Sequence, residues 1–245
     1  MSEAELERIR NAYRERDTVG EGPYRWDNPA YVWHMQQVEG ALLRACADTS
    51  VQLAGARVLD VGCGSGYFLH RLREFGAGEC HGIDLMENRI AEGRERYPTV
   101  HFHVGSATEL TFETGAFDLV TQFTCLSSVV DADVRFAAAR EMRRVASGGW
   151  VLSVDLRGML PPVLRRRRST SPPIVGLDKH ELQRLFGQPA LLRRIALAFE
   201  LGQLLGRHTA VADTLQIFPP LRSHLLGLWQ LPLTNEASAA FRRIG

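Results

Sequence analysis

The residues with the most chemical content lie in the run VLDVGCGSGYFL at 58 to 69. A segment with the look of a buried strand ends at Asp60 and Val61, glycines occupy 62, 64 and 66, and an apolar helical segment follows. Glycine reaches backbone dihedrals closed to other residues and has no Cβ to obstruct a molecule lying against the turn. In an open parallel sheet such a turn falls at the carboxyl ends of the strands, where ligands bind. Asp60 adds a carboxylate able to accept hydrogen bonds from a ligand or from the turn. Asp84, in CHGIDL, follows 24 residues later at the tip of a second strand. An acidic group there can accept two hydrogen bonds from a ribose diol, so the expected ligand is a nucleoside.

Spacing separates this turn from two other nucleotide sites. A dinucleotide fingerprint, GxGxxG, needs a third glycine at the position that Tyr67 holds here. A phosphate-cradling P-loop needs Gly-Lys-Ser or Gly-Lys-Thr after the turn, and neither follows.

Other reactive groups are more scattered. His34 lies in an aromatic-rich N-terminal segment and is the candidate general base. Tyr24, Trp26, Tyr31 and Trp33 are candidates to close a substrate pocket. Arg165, Arg166, Arg167 and Arg168 form an unbroken run in a proline-flanked loop; a solvated surface is one reading and capture of a carboxylate or phosphate is the other. His101 and His103 share one face of a short strand, but no third ligand lies near them along the chain, so no metal site is expected.

The elements that must position these groups alternate. Helices are expected at 4–17 and 32–48, followed by a strand at 56–61, a helix at 67–75, a strand at 80–84, a helix at 87–96 and a strand at 101–104. A strand at 117–123, a helix at 132–146 and a strand at 150–155 continue the pattern. Strands separated by helices imply crossover connections and a mainly parallel sheet with helices on both faces. After a proline-rich loop, Asp178 and Glu181 have capping-box spacing for a short helix containing Leu182 and Leu185. Candidate last strands cover 190–199 and 222–232, with a helix of uncertain extent between them. Residues 1–50 are read as an N-terminal helical cap over the site and 51–245 as the α/β domain.

Composition narrows the function classes. The 245 residues are 45% hydrophobic and 23% charged, a globular balance. Twenty-nine basic against 28 acidic residues leave +1, so nucleic acid is not the expected partner. Four widely spaced cysteines suit neither a zinc cluster nor a disulfide framework. With no signal-like stretch at the start and no run of 18 apolar residues, a cytoplasmic protein without a membrane span is expected.

Five segments in register resemble the class I S-adenosylmethionine-dependent methyltransferases: VLDVGCGSG, GIDLMENRI, VGSATEL at 104–110, FDLVTQFTCLSSVVD at 117–131, and EMRRVASGGWVLSVDL at 141–156. The YRWDNPAYVWHMQQ and LRSHLLGLW regions further resemble a bacterial small-molecule subgroup often found in specialised-metabolite or polysaccharide clusters. The resemblance implies a Rossmann-like, doubly wound, seven-stranded sheet with its last strand antiparallel. It also implies that Asp60, Gly62, Cys63, Gly64 and Gly66 line the methionine part of S-adenosylmethionine. Asp84 would hold the ribose, Leu85 would pack beside the adenine, and Ser106 and Ala107 would lie near its edge. Many members carry aspartate where this chain has Ser106. Gln122 and Phe123 would stand at the rim where sulfonium and acceptor meet. The implied reaction is methyl transfer to a small organic acceptor with S-adenosylhomocysteine as product; no metal is expected, and a homodimer is the expected assembly. A macromolecular methyltransferase and a non-catalytic nucleoside-binding protein are the alternatives.

Overall fold

Hydrophobic runs bounded by caps and glycine turns set the elements. The computed structural model describes residues 3–19, 27–156, 175–197 and 222–233. In chain order these form α1 (Glu3–Val19), α2 (Pro29–Ala47), β1 (Arg57–Val61), α3 (Tyr67–Glu74), β2 (Glu79–Asp84), α4 (Glu87–Arg96) and β3 (His101–Val104). Then come β4 (Leu119–Phe123), α5 (Ala132–Val145), β5 (Trp150–Leu156), α6 (Lys179–Phe186), β6 (Leu191–Leu197) and β7 (Arg222–Gln230).

Helix starts follow from local side chains that satisfy otherwise unpaired backbone N–H groups. Asn28 accepts from the Ala30 N–H with Pro29 opening α2, and Asp131 accepts from Asp133 and Val134 at α5. At α6 the Glu181 N–H donates to Asp178 at 2.8 Å, as the capping-box spacing predicts. The reciprocal half of that box does not form, because the Glu181 carboxylate turns to Arg135 at 3.1 Å and to Arg184.

The seven strands make one sheet in the order β3-β2-β1-β4-β5-β7-β6. Pairings from β3 through to β5 are parallel, and β7 runs antiparallel to both β5 and β6. This is the doubly wound, mostly parallel Rossmann-like sheet expected. Alternation along each strand sends Val58, Leu152, Val154, Leu226 and Leu228 to one face, where they meet Leu42 of α2, Leu69 and Leu72 of α3 and Ile90 of α4. Leu59, Val61, Val151 and Trp229 point to the other face, against Met142 of α5 and Leu182 and Phe186 of α6.

The N-terminal fifty residues divide between two places. α2 lies on the sheet face over β6 and β7, with Val38, Ala41, Leu42 and Ala45 forming its buried stripe. α1 lies over the carboxyl ends of the strands, where Ile9 and Tyr13 pack with Leu85, Val129 and Val134.

Candidate functional site

The sheet reverses its direction of winding at the β1–β4 boundary, and the two strand ends there open a crevice. Beside it the glycine turn is tightly specified. Gly62 has φ +74°, and a Cβ there would come within 2.6 Å of the Cys125 sulfur. Gly66 has φ +87° with its open side against the Phe102 ring. Gly64, at φ +54°, has nothing within 4 Å of where a Cβ would stand, so the crest of the turn faces open space.

Asp84 ties this turn to the next. Its Oδ2 accepts from the Gly64 N–H and its Oδ1 from the Met86 N–H, both at 2.9 Å. Burial raises its pKa, while those two backbone donors and Arg89 pull it back down. Beneath the turn, Asp60 is 2% exposed and its Oδ1 accepts from the Thr121 hydroxyl at 2.8 Å. Burial pushes the Asp60 pKa up to about 8, with the Thr121 bond opposing and the nearby Asp84 carboxylate adding to the rise. One buried and one half-buried carboxylate therefore sit beside one turn with no basic side chain among the described residues hydrogen-bonded to either, an arrangement that favours an incoming cation.

A cavity of about 90 Å³ lies between these turns, lined by Gly62, Ile83 to Met86, Gly105 to Thr108, Phe123 to Cys125, Ser128, Val129 and, from α1, Ile9 and Tyr13. It combines one carboxylate with mostly apolar walls, the composition of a nucleoside slot. Gly62, Asp84, Leu85, Ser106, Ala107 and Phe123, all named from the sequence as candidate cofactor-binding residues, are among its lining. Ser106 is engaged locally: its hydroxyl lies 2.9 Å from the Thr108 hydroxyl and accepts from the Thr108 N–H at 3.2 Å. Phe123 is stacked on Phe68 of α3, with ring centroids 3.6 Å apart.

Several residues stand elsewhere than the sequence suggests. Gln122 is not at the rim but sealed beneath it. Its amide donates to Ser153 at 2.6 Å and to Asp155, while its Oε1 accepts from the Cys125 and Leu126 N–H groups at 2.9 and 3.2 Å. Asp155, whose pKa burial raises, also accepts from the Ser127 N–H at 3.0 Å. Gln122 and Asp155 thus anchor the loop that lines the cavity without touching its contents. The side chain of Cys63 packs down onto Gly82, which leaves only its backbone for the open side of the turn. Asp60, Gly64 and Gly66 likewise frame the turn from outside the cavity lining.

His34 does not face the cavity. It belongs to the buried stripe of α2, four residues before Val38, with its ring 5.0 Å from that of His224 on β7. Burial lowers the His224 pKa to about 3, with His34 contributing. Tyr31 sits near Tyr67, whose hydroxyl bonds to Glu39 of α2. Tyr24, Trp26, Arg165, Arg166, Arg167 and Arg168 lie outside the described residues.

Sequence reasoning missed the residues that close the cavity. Thr124 holds φ +58°, the one non-glycine residue with positive φ among those described, and its carbonyl accepts from the Ser127 and Ser128 hydroxyls at 3.1 and 3.0 Å. Strain of this kind concentrates at functional rims. The buried Arg135 of α5 holds the loop from below, donating to the Val129 and Val130 carbonyls at 2.6 and 2.7 Å. From above, the Glu5 carboxylate of α1 accepts from the Val130 and Asp131 N–H groups at 3.1 and 3.3 Å. Arg8 donates to Glu5 at 2.7 Å and to the Ser128 carbonyl at 3.1 Å, and the Tyr13 hydroxyl bonds Ser128 at 3.2 Å. The polar-apolar alternation of α1 was visible in the sequence, but its destination was not.

Residues 58–149, which hold the glycine turn, Asp84 and the Phe123 loop, match the methyltransferase domain family. That segment is a methyltransferase domain, and its motifs are similar to those of the class I S-adenosylmethionine-dependent methyltransferases. Relatives of the chain include a ubiquinone biosynthesis O-methyltransferase of Thiobacillus denitrificans, 36% identical over 132 residues that make up 51% of this chain and 55% of that protein. A norajmaline N-methyltransferase of Rauvolfia serpentina is 37% identical over 116 residues, 42% of this chain and 38% of that one. The chain spans about half the length of the curated relatives it matches. Among solved structures, a putative methyltransferase of Haloferax volcanii in complex with a Trm112 activator superimposes with a TM-score of 0.65 at 20% identity, covering 90% of this chain and 97% of that one. A magnesium protoporphyrin IX methyltransferase of Synechocystis with bound S-adenosylhomocysteine gives 0.62 at 14% identity, covering 92% and 94%. These two likenesses concern the fold. No helix among the described residues is long and apolar enough to cross a membrane.

Proposed function

We propose that this methyltransferase moves the methyl group of S-adenosylmethionine to a small organic acceptor at a hydroxyl oxygen. The observation that carries the reading is the convergence, in one mostly apolar cavity, of the Gly62 turn, the Asp84 carboxylate and the Phe123–Ser128 loop. Asp84 would hold the ribose hydroxyls, Leu85 and Ala107 would flank the adenine, and Ser106 would serve its polar edge. The open crest at Gly64 would receive the methionine portion, whose sulfonium gains from the Asp60 and Asp84 carboxylates nearby. The bound cofactor would supply an already activated methyl group, so the protein contributes orientation and exclusion of water, and the acceptor's proton passes to solvent. The small-molecule acceptors named for the quinone and alkaloid relatives support an organic substrate, and the O-methyltransferase relatives support oxygen as the atom.

We infer that α1, whose Ile9 and Tyr13 line the cavity, is a lid that lifts to admit the cofactor. Once loaded, closure of Ile9 and Tyr13 would keep water from the reacting centre. A specialised-metabolite or saccharide acceptor, a cytoplasmic setting and a homodimer complete the reading. It is tested in two steps. Calorimetry with S-adenosylmethionine establishes binding, and a labelled-methyl transfer screen over small phenols, hydroxylated quinones and sugars finds the acceptor. Absence of binding by folded protein refutes the reading; binding with label transferred only to protein or RNA refutes the small acceptor.

A further inference from the structure

Away from the cavity, β2 and β3 bring together four side chains that the proposed chemistry does not use. His81 on β2 is in register with His101 on β3, their ring centroids 4.8 Å apart. Glu79 and His103 lie two residues along their strands from His81 and His101, and so project from the same sheet face. Strand register thus supplies the partners that spacing along the chain did not reveal for His101 and His103. One ligand atom each from Glu79, His81 and His101 falls within 4.8 Å of the others. We propose that these three residues form a binding site for a first-row divalent transition ion of the cobalt-to-zinc series.

The donor set is one carboxylate and two imidazoles, the chemistry that such ions take and that magnesium and calcium do not. Bonds of about 2.0–2.2 Å in a tetrahedral arrangement put ligand atoms about 3.4 Å apart, so the group needs to close by little more than 1 Å. His101 is exposed and can make that movement. The orienting partners are already in place. Coordination through His81 Nε2 puts the ring proton on Nδ1, and His103 Nε2 stands 3.1 Å from Nδ1 to accept it. Metal-bound histidines need such a partner to hold tautomer and ring plane. Arg57 Nε donates to Glu79 Oε2 at 3.0 Å, so Oε1 is the oxygen that would turn to the ion. That oxygen now lies 2.9 Å from His81 Nε2, the very pair the ion would bridge. Phe112 and Phe117 stand edge-on to His81 and wall the site on one side.

The site lies three register positions, roughly 10 Å, from the Asp84–Val104 pair whose strands end at the cavity. It therefore fastens the edge strand β3 to β2 without entering the cavity. The test uses the tag-free full chain titrated with Co²⁺, followed by its visible d–d absorption, with Zn²⁺ as competitor. The expected result is one equivalent bound with a tetrahedral spectrum that Zn²⁺ abolishes. His101→Ala and Glu79→Gln, both at exposed or half-exposed positions, each weaken Co²⁺ binding at least tenfold with unchanged circular dichroism. His103→Ala weakens it about tenfold through the lost orienting bond. His180→Ala, on the exposed side of α6, leaves it unchanged. Equal binding by wild type, His101→Ala and Glu79→Gln overturns the proposal, as does a sulfur-to-cobalt charge-transfer band that puts the ion on cysteine. Failure of the wild type to bind either ion also overturns it.

Discussion

Alanine at Glu5 should unlatch α1 and speed cofactor entry. The Glu5 carboxylate accepts from the Val130 and Asp131 N–H groups and is itself held by Arg8, whose hydrogen bond keeps the Glu5 pKa low. Hydrogen bonds to a charged group contribute about 1.5–3 kcal/mol each, and water replaces part of this at a helix that opens into solvent, so a loss of about 2 kcal/mol from the closed state is a reasonable figure. Each 1.4 kcal/mol is tenfold in an equilibrium, so the open population should rise about 30-fold. If lifting of the lid precedes binding, the association rate for S-adenosylmethionine rises by up to that factor, while the dissociation constant changes less because closure over the bound cofactor is weakened too. Stopped-flow competition against a fluorescent nucleoside analogue measures the rate. Glu7→Ala, on the exposed face of the same helix, is the control and should leave it unchanged. An association rate for Glu5→Ala within twofold of wild type, with helix content retained, would refute the lid.

Three further outcomes follow from the geometry. Asp84→Ala should weaken S-adenosylmethionine binding by about 1–3 kcal/mol in calorimetry, the loss of a charged hydrogen-bond pair to the ribose; unchanged affinity removes Asp84 from that role. Gly62→Ala should lower thermal stability by about 2–3 kcal/mol, from strain at positive φ plus the collision with Cys125, whereas Gly55→Ala, with φ +74° but no neighbour within 4 Å, should cost about 1 kcal/mol. For pH, burial holds the Asp60 pKa near 8, so the folded state keeps a proton that the unfolded chain sheds near pH 4. Asp60 therefore lowers stability progressively as pH rises from about 4 to about 8. A sulfonium cation favours the ionised form, so S-adenosylmethionine affinity should rise from pH 6 to 8 with proton release. S-adenosylhomocysteine, lacking that charge, and the Asp60→Asn variant should both show flatter profiles in calorimetry.

What could be read from the chain alone was local. The strand–turn–helix at 58–69, Asp84 at the second strand tip and the cap at Asp178 are each specified by residues within a few positions of one another. Partners distant along the chain were out of reach: Gln122 is claimed by Asp155, and the 128–131 loop by α1 more than a hundred residues earlier. The histidine cluster depends on parallel register, which pairs residues 20 positions apart. His34 is the instructive case, because its spacing from Val38, Ala41 and Leu42 already put it on the apolar side of α2. The aromatic neighbourhood drew attention to its chemistry when its helical period described its burial.

The order of strands also shapes how the molecule must be made. β7 lies between β5 and β6, so the flank of β5 has no neighbour until residues 222–230 have left the ribosome. Until then Val151, Leu152 and Val154 sit on an unfinished border, and α2, synthesised near the start, lacks the surface it rests on. Nascent chains stalled just short of Leu225 should be sticky, protease-sensitive and dependent on holdase chaperones, and synthesis of β7 should end that vulnerability.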